Sequence, residues 1–82
     1  MMARLRVLSR RGDTVVEWDP SKVEEGDPEA LEAIKEAERI FEEHRAAGAT
    51  GFKVEPGKPA TKLDRFDETA EQILLVPRIA GG

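Results

Sequence analysis

The chain has 82 residues, which suits one small domain, and it contains no cysteine, which excludes disulfides, thiolate metal sites and a cysteine nucleophile. Its formal net charge of −4 argues against a nucleic-acid partner, because such proteins present a basic face to the phosphates, while its 37% of charged residues is typical of heat-adapted proteins. No apolar run approaches the roughly 20 residues that span a bilayer, and the N-terminus lacks the features of a signal peptide, so we expect a cytoplasmic protein without a membrane partner.

The first eighteen residues have the pattern of a β-hairpin. Residues 3–9 alternate between apolar and polar side chains, as in a strand with one buried face. A turn signal at Gly12 and Asp13 follows, and residues 14–18 alternate again. Trp18 ends the second strand and is interpreted as a core residue, because large aromatic side chains dominate small cores.

A long helix is predicted next. Residues 19–26 break the periodicity and predict a loop with one short turn begun by Ser21. Asp27 is a good N-cap and Pro28 fits the first helical position, so the helix begins there and runs for about twenty residues until Gly48 ends it. The expected apolar stripe of this helix consists of Leu31, Ile34, either Ala37 or Glu38, and Phe41.

The second half of the chain reads as short strands separated by loops. Residues 51–56 predict a strand, a loop rich in Pro and Gly follows, and a brief strand is expected within residues 62–66. Asp67 is a candidate cap for one turn of helix. The run at residues 73–76 is the most apolar in the chain and predicts a central strand, which ends where Pro77 removes a hydrogen-bond donor.

Period-two alternation fixes the faces of that last strand. We expect Ile73 and Leu75 to point into the core against the helix, and Leu74 and Val76 to lie on the opposite face. A slip of one residue would exchange the two faces.

The order of these elements is a hairpin, a long helix, short strands and a buried last strand. A right-handed crossover places the helix across one face of a mixed sheet, with the final strand in the middle and parallel to the first. We therefore expect an α+β domain with the β-grasp arrangement, in which one long helix packs across a mixed sheet of four to five strands. Residues 1–76 are expected to form this domain, and residues 77–82 a flexible C-terminal tail.

The last eleven residues, QILLVPRIAGG (72–82), carry a resemblance to a known family. An apolar strand followed by a basic residue and two glycines is similar to the ending of ubiquitin and its relatives, whose element order the chain also resembles. The ending resembles equally that of the bacterial sulfur carriers, namely the small subunit of molybdopterin synthase and the thiamine-pathway carrier. Pro77 departs from ubiquitin and matches the sulfur carriers, and Ala80 stands where ubiquitin has a basic residue.

This resemblance implies that the tail is the functional site. In the family an activating enzyme uses ATP to adenylate the terminal glycine, here Gly82, and Gly81 lets the backbone enter a narrow channel where a Cβ would clash. Arg78, Ile79 and Ala80 are the expected recognition residues of the tail, and Arg78 matches a position known to help activating enzymes choose their partner. The partner enzyme uses the ATP, and the chain itself is expected to bind no cofactor.

Three functions are compatible with such a tail. We expect a ubiquitin-like modifier whose C-terminal carboxylate is transferred to an amine of a target protein, with Leu74 and Val76 forming a patch for partner docking. The first alternative is a sulfur carrier, in which Gly82 becomes a thiocarboxylate that donates sulfur to a biosynthetic enzyme. The second alternative is a noncovalent β-grasp adaptor, for which the two glycines are a frayed end.

The protein itself is expected to catalyse nothing and to bind no metal. The sequence has no Ser, His and Asp arrangement with plausible spacing and no glycine-rich phosphate loop after a strand. His44 is the only histidine. It has no cysteine or second histidine with which to share a metal and is interpreted as a packing residue at the helix end.

Overall fold

A computed structural model describes residues 2–9 and 12–78. Its elements in chain order are β1 (Ala3–Val7), β2 (Thr14–Trp18), α1 (Pro20–Glu24), α2 (Pro28–Ala46), β3 (Thr50–Val54), β4 (Thr61–Leu63) and β5 (Gln72–Val76). The described chain is an α+β domain with a mixed five-stranded sheet and one long helix, α2. The predicted hairpin and long helix are confirmed within one or two residues at each end.

The sheet has the strand order β2-β1-β5-β3-β4. β5 lies in the middle, parallel to β1 and antiparallel to β3, while β2 and β4 pair antiparallel at the two edges. A strand in the middle is covered by neighbours on both sides, which is where the most apolar run of the chain is best placed. The central position of β5 and its parallel pairing with β1, both predicted from the sequence, are confirmed.

The core lies between α2 and one face of the sheet. On β1 and β5 the alternation is complete, because Leu5, Ile73 and Leu75 are fully buried and the residues between them are not. Trp18 and Phe41 are the largest buried side chains, and both rings pack against Phe66, with ring centroids 5.9 Å apart in each pair. The predicted register of β5 and the core position of Trp18 are therefore confirmed.

The ends of α2 follow from local chemistry. Asp27 is the N-cap, and its Oδ2 accepts a hydrogen bond from the backbone N–H of Ala30 at 3.2 Å, while Pro28 occupies the first turn. At the other end Gly48 adopts a φ of +99°, the left-handed conformation that glycine adopts without a steric penalty. Both boundaries agree with the sequence prediction.

Two shorter predictions were wrong in their details. The turn before α2 is the helix α1, and its N-cap is Asp19, whose Oδ1 accepts from the backbone N–H and hydroxyl of Ser21 at 2.9 and 2.8 Å. Pro20 suits the first helical position, so the cap must precede it. Asp67 begins no helix; its Oδ1 instead accepts from the backbone N–H and hydroxyl of Thr69, which closes an isolated turn.

The apolar stripe of α2 is rotated slightly from the predicted one. Ala30, Ala37 and Phe41 are buried, and Ile34 is partly buried against the core. Leu31 is 39% exposed, because it lies at the margin of the stripe. The buried face of α2 therefore includes Ala30 and Ala37, which lie two helical turns apart. The prediction placed Leu31 on this face because of its hydrophobicity alone, and that position was wrong.

Candidate functional site

The side of the sheet away from α2, here called the open face, carries half-buried apolar side chains. Leu74 and Val76 lie on it, as predicted, since they alternate with the buried residues of β5. Leu74 pairs with Phe52 of β3 in the antiparallel ladder, and directly paired residues share one face. The apolar members of the open face are Val15, Phe52, Val54, Leu74 and Val76.

Arginines border these apolar side chains. Arg4 and Arg6 of β1 lie on the open face, and Arg6 pairs in register with Leu74. The Arg4 guanidinium is 3.8 Å from Glu17, and Arg6 Nε is 3.8 Å from Asp13, in pairs whose side chains are roughly half exposed. Ion pairs this long and this exposed contribute little to stability, so the guanidinium groups are free to change partners. The open face therefore combines an apolar centre with cations.

The tail leaves the domain beside the C-terminal end of α2. Pro77 follows β5 directly, and the stem of the exposed Arg78 lies over Gly48. A Cβ built on Gly48 would be 3.1 Å from Arg78 Cδ and 3.4 Å from its Cβ. Gly48 thus serves two purposes, since it ends the helix and leaves room for the first charged residue of the tail.

The predicted site residues fall into three groups. The docking residues Leu74 and Val76 lie together on the open face. Arg78 packs at the root of the tail, so part of its side chain contacts its own domain. The remaining predictions, Ile79, Ala80, Gly81 and Gly82, lie outside the described residues.

Sequence reasoning missed the contribution of β3 to the open face. The pattern of residues 51–56 placed Phe52 and Val54 on a common side, but it did not say which side that was. The structure assigns them to the open face, because Phe52 pairs with Leu74 and Gly51 pairs with the buried Leu75. The available signal was Gly51, since a residue without a side chain favours close approach by another group on its own face.

A small ion-pair cluster joins the end of β3 to the turn at Asp67. Lys53 Nζ is 3.4 Å from both Glu55 Oε1 and Asp67 Oδ2, and Lys58 Nζ is 3.3 Å from Glu55 Oε2. Hydrogen bonds from Lys58 and then Lys53 lower the pKa of Glu55, while Glu55 and then Asp67 raise the pKa of Lys53. The Thr69 hydroxyl, followed by the Thr69 backbone N–H and Lys53, lowers the pKa of Asp67, and partial burial opposes this shift.

We expect Asp67→Asn to weaken the dependence of the free energy of unfolding on pH in the acidic range. Because the pKa of Asp67 is depressed in the folded protein, its contribution is complete above its ordinary value of 3.8 and is lost as the pH falls through the lower folded-state value. The variant should lose about 0.2–1 kcal/mol at pH 7 and little at pH 2. Urea unfolding between pH 2 and 7 measures this difference.

The control for this measurement is Asp64→Asn, which removes a carboxylate from the same segment. The Asp64 side chain makes no hydrogen bond or ion pair within residues 2–9 and 12–78, although its backbone carbonyl accepts from Arg45 at 3.2 Å. Its stability curve should run parallel to that of the original protein. A difference for Asp67→Asn that does not shrink at low pH would contradict the assignment.

Neither a group of potential metal ligands nor a helix able to span a membrane is found in the part of the chain that the structure describes. No group of three His, Asp or Glu side chains there is placed to hold a metal ion. No described helix is long and apolar enough to cross a membrane. His44 is half-buried in the last turn of α2, where its carbonyl accepts from the backbone N–H of Ala49 at 2.8 Å.

Comparisons with protein-family models, with curated proteins and with solved structures gave no match for this chain. Function is therefore inferred from the chain's own geometry and chemistry.

Proposed function

We propose that this chain is a β-grasp domain of the ubiquitin-like kind and that it acts as a protein modifier through the glycines at 81 and 82. One observation carries the proposal: β5 pairs parallel to β1 at the centre of the sheet, with a single long helix across one face. That is the arrangement expected of a β-grasp domain, and it supports the resemblance seen in residues 72–82. The proposal assigns no catalysis to the chain.

The chemistry needs a tail that reaches another protein's active site. Six residues, 77–82, span roughly 20 Å when extended at about 3.3 Å each. A partner activating enzyme would join the Gly82 carboxylate to the AMP moiety of ATP and release pyrophosphate. An enzyme cysteine thiolate would then displace AMP to form a thioester, and a target amine would displace that thiol to form an amide bond.

Pro77 and Arg78, at the start of the tail, favour transfer of the tail to an enzyme. Pro77 cannot donate a ladder hydrogen bond, so it ends the pairing of β5 and directs the chain away from the sheet. Arg78 is exposed and lies over Gly48, where the terminal carbonyls of α2 attract a cation. This contact fixes where the tail starts and presents a charged residue to an activating enzyme.

The open face supplies a docking surface for the same enzyme or for a later carrier. Its apolar residues are half-buried rather than covered, and Arg4 and Arg6 beside them have only long, exposed ion pairs. An apolar centre with arginines at its border is the composition typical of protein interfaces. Leu74 and Val76 are proposed as the residues at its centre.

A second candidate is the sulfur carrier, which Pro77 favours because it matches the ending of that group. In this case sulfide-level sulfur supplied by a sulfur-donor protein would attack the adenylated carbonyl carbon of Gly82, AMP would leave, and the resulting thiocarboxylate would serve a biosynthetic enzyme. Both candidates require the Gly82 carboxylate and an adenylating partner. The two differ in the final bond of the Gly82 carbonyl carbon, which is to a target nitrogen in the modifier and to a terminal sulfur in the carrier.

We expect the intact protein to change mass when it is incubated with ATP, Mg²⁺ and lysate from its own organism. Conjugates formed with loss of water identify a modifier, and replacement of one oxygen by sulfur identifies a carrier. Deleting Gly82 should abolish either product, because the reactive carboxylate would then be displaced by one residue. Mass spectrometry of the recovered protein measures the outcome.

Two controls make the result specific. Adding one alanine after Gly82 should abolish the product as the deletion does, while leaving the domain intact. Gly57→Ala strains the loop before β4, because Gly57 has a φ of +73°, but it does not alter residues 77–82 and should leave the product unchanged. Unmodified protein that still retains partners would contradict both covalent functions and favour the noncovalent adaptor.

A further inference from the structure

A cavity of about 250 Å³ opens on the helix side of the sheet, between the end of β2, the two helices and the turn at residues 67–69. Its apolar wall consists of Trp18, Pro20, Val23 and Ile34. Its polar rim consists of Glu24, Glu68 and Thr69. The cavity lies away from both the open face and Arg78, and the proposed function does not use it.

The wall contains a buried donor without an acceptor. Trp18 is 2% exposed, and its indole Nε1 has no hydrogen-bond partner within the described ranges. Phe66 packs against the ring at 5.9 Å, which restricts any rotation that would bring Nε1 to solvent. Nε1 is enclosed by its neighbours and is not accessible from the cavity, so Trp18 contributes only apolar surface to the wall.

The rim is negatively charged, and its two carboxylates are not paired with cations among the described residues. Glu24 and Glu68 are exposed, and neither forms a salt bridge with any residue whose position the structure gives. The chain as a whole carries a net charge of −4, which favours cationic partners further. The charge of the rim therefore selects a basic ligand over an acidic one.

The apolar surface continues beyond the cavity along α2. Leu31 is 39% exposed and lies one helical turn before Ile34 of the wall. An exposed leucine next to an apolar cavity extends the surface that an aliphatic group can cover. A ligand with an aliphatic part and a cation fits both the wall and the rim.

We propose that this cavity binds a peptide segment of a partner protein in which an aliphatic side chain is flanked by basic residues. The aliphatic side chain fills the space between Trp18, Val23 and Ile34. The basic residues pair with Glu24 and Glu68. This site is independent of Gly82, so it stands or falls separately from the proposed covalent function.

The single tryptophan makes the test direct, because the full-length ¹⁵N-labelled protein gives one indole N–H resonance. The probe is the peptide acetyl-Gly-Arg-Leu-Arg-Gly-amide, titrated to millimolar concentration. The indole resonance is expected to shift because the Trp18 ring lines the cavity, with the largest backbone shifts at Val23, Ile34 and Thr69. An indole signal that stays in place, or shifts that map to the open face, would overturn the proposal.

Changes to the probe separate the two kinds of contact without altering the protein. Replacing leucine by serine in the peptide should abolish binding, since the wall is apolar. Replacing both arginines by glutamate should do the same, since the rim is acidic. Equal binding by all three peptides would show that the cavity is not the site of interaction.

Protein variants test the rim. Glu24→Gln and Glu68→Gln are each expected to weaken binding about two- to fivefold, the range of an exposed ion pair. Glu32→Gln removes the same charge from α2 outside the cavity lining and should leave the affinity unchanged; equal weakening by all three would contradict the proposal.

Discussion

Leu75→Ala is expected to lower the free energy of unfolding by about 2–5 kcal/mol, the range for removing a large aliphatic side chain from a packed core. Leu75 is fully buried on the central strand, where it pairs with Val7 of β1 and with Gly51 of β3. A domain of this size has a total stability on the order of 8 kcal/mol, so the loss is a large fraction of the whole. Urea denaturation followed by the fluorescence of Trp18 measures it.

Leu74→Ala is the matched control, because it makes the same chemical change one residue earlier. Leu74 is half-buried on the open face rather than packed under α2. Its loss should cost about 1–2 kcal/mol, less than that of Leu75, since the side chain stays partly in contact with water on the open face and its removal leaves no enclosed cavity. A larger effect at Leu74 than at Leu75 would mean that the register of β5 is shifted by one residue.

The second large effect is expected at Gly51. An added Cβ would lie 2.6 Å from Phe41 Cε2 and 3.1 Å from Phe41 Cζ, closer than real Cβ contacts come. The Phe41 ring is fully buried and packs edge-on against Phe66, so the surrounding core restricts any shift away from the added Cβ. Gly51→Ala should therefore destabilise the domain by about 1–3 kcal/mol, as overpacking does elsewhere.

A double-mutant cycle distinguishes this clash from a backbone effect. Phe41→Leu shortens the side chain that Gly51→Ala would meet, so the two changes together should cost less than the sum of their separate costs by about 0.5–3 kcal/mol. Thermal unfolding is a sensitive measure, because 1 kcal/mol shifts the Tm of a domain this small by roughly 4–8 °C. Strict additivity would show that Phe41 is not the obstacle.

The proposed surfaces occupy different sides of the domain. The open face lies on one side of the sheet, and the Trp18 cavity lies on the other, between β2 and the helices. The root of the tail lies at a third place, where Arg78 meets Gly48 at the end of α2. A partner held in the cavity would therefore leave the open face and Arg78 accessible, so the two proposals can be tested on the same protein.

Local interactions explain why much of the fold was predictable from the sequence. The N-cap at Asp27, the stop at Gly48 and the alternation in β1 and β5 each depend on residues only a few positions apart. The identity of the central strand was also predictable, because the most apolar run of the chain is best buried between two neighbouring strands. Those patterns determined the α+β class, the long helix and the faces of the last strand.

Contacts between segments that are far apart in the sequence decided the features of the fold that could not be predicted. Phe52 belongs to the open face because β3 pairs with β5 in one register, and nothing within residues 51–56 fixes that register. Leu31 is exposed because the packing of α2 on the sheet selects which side of its stripe is covered. The sequence by itself determined the elements and the diglycine at 81 and 82. Only the tertiary structure showed which residues form the open face, where the Arg78 side chain packs, and that a cavity lies beside Trp18. Each of these features brings together residues that are far apart along the chain, so no short stretch of sequence predicts it.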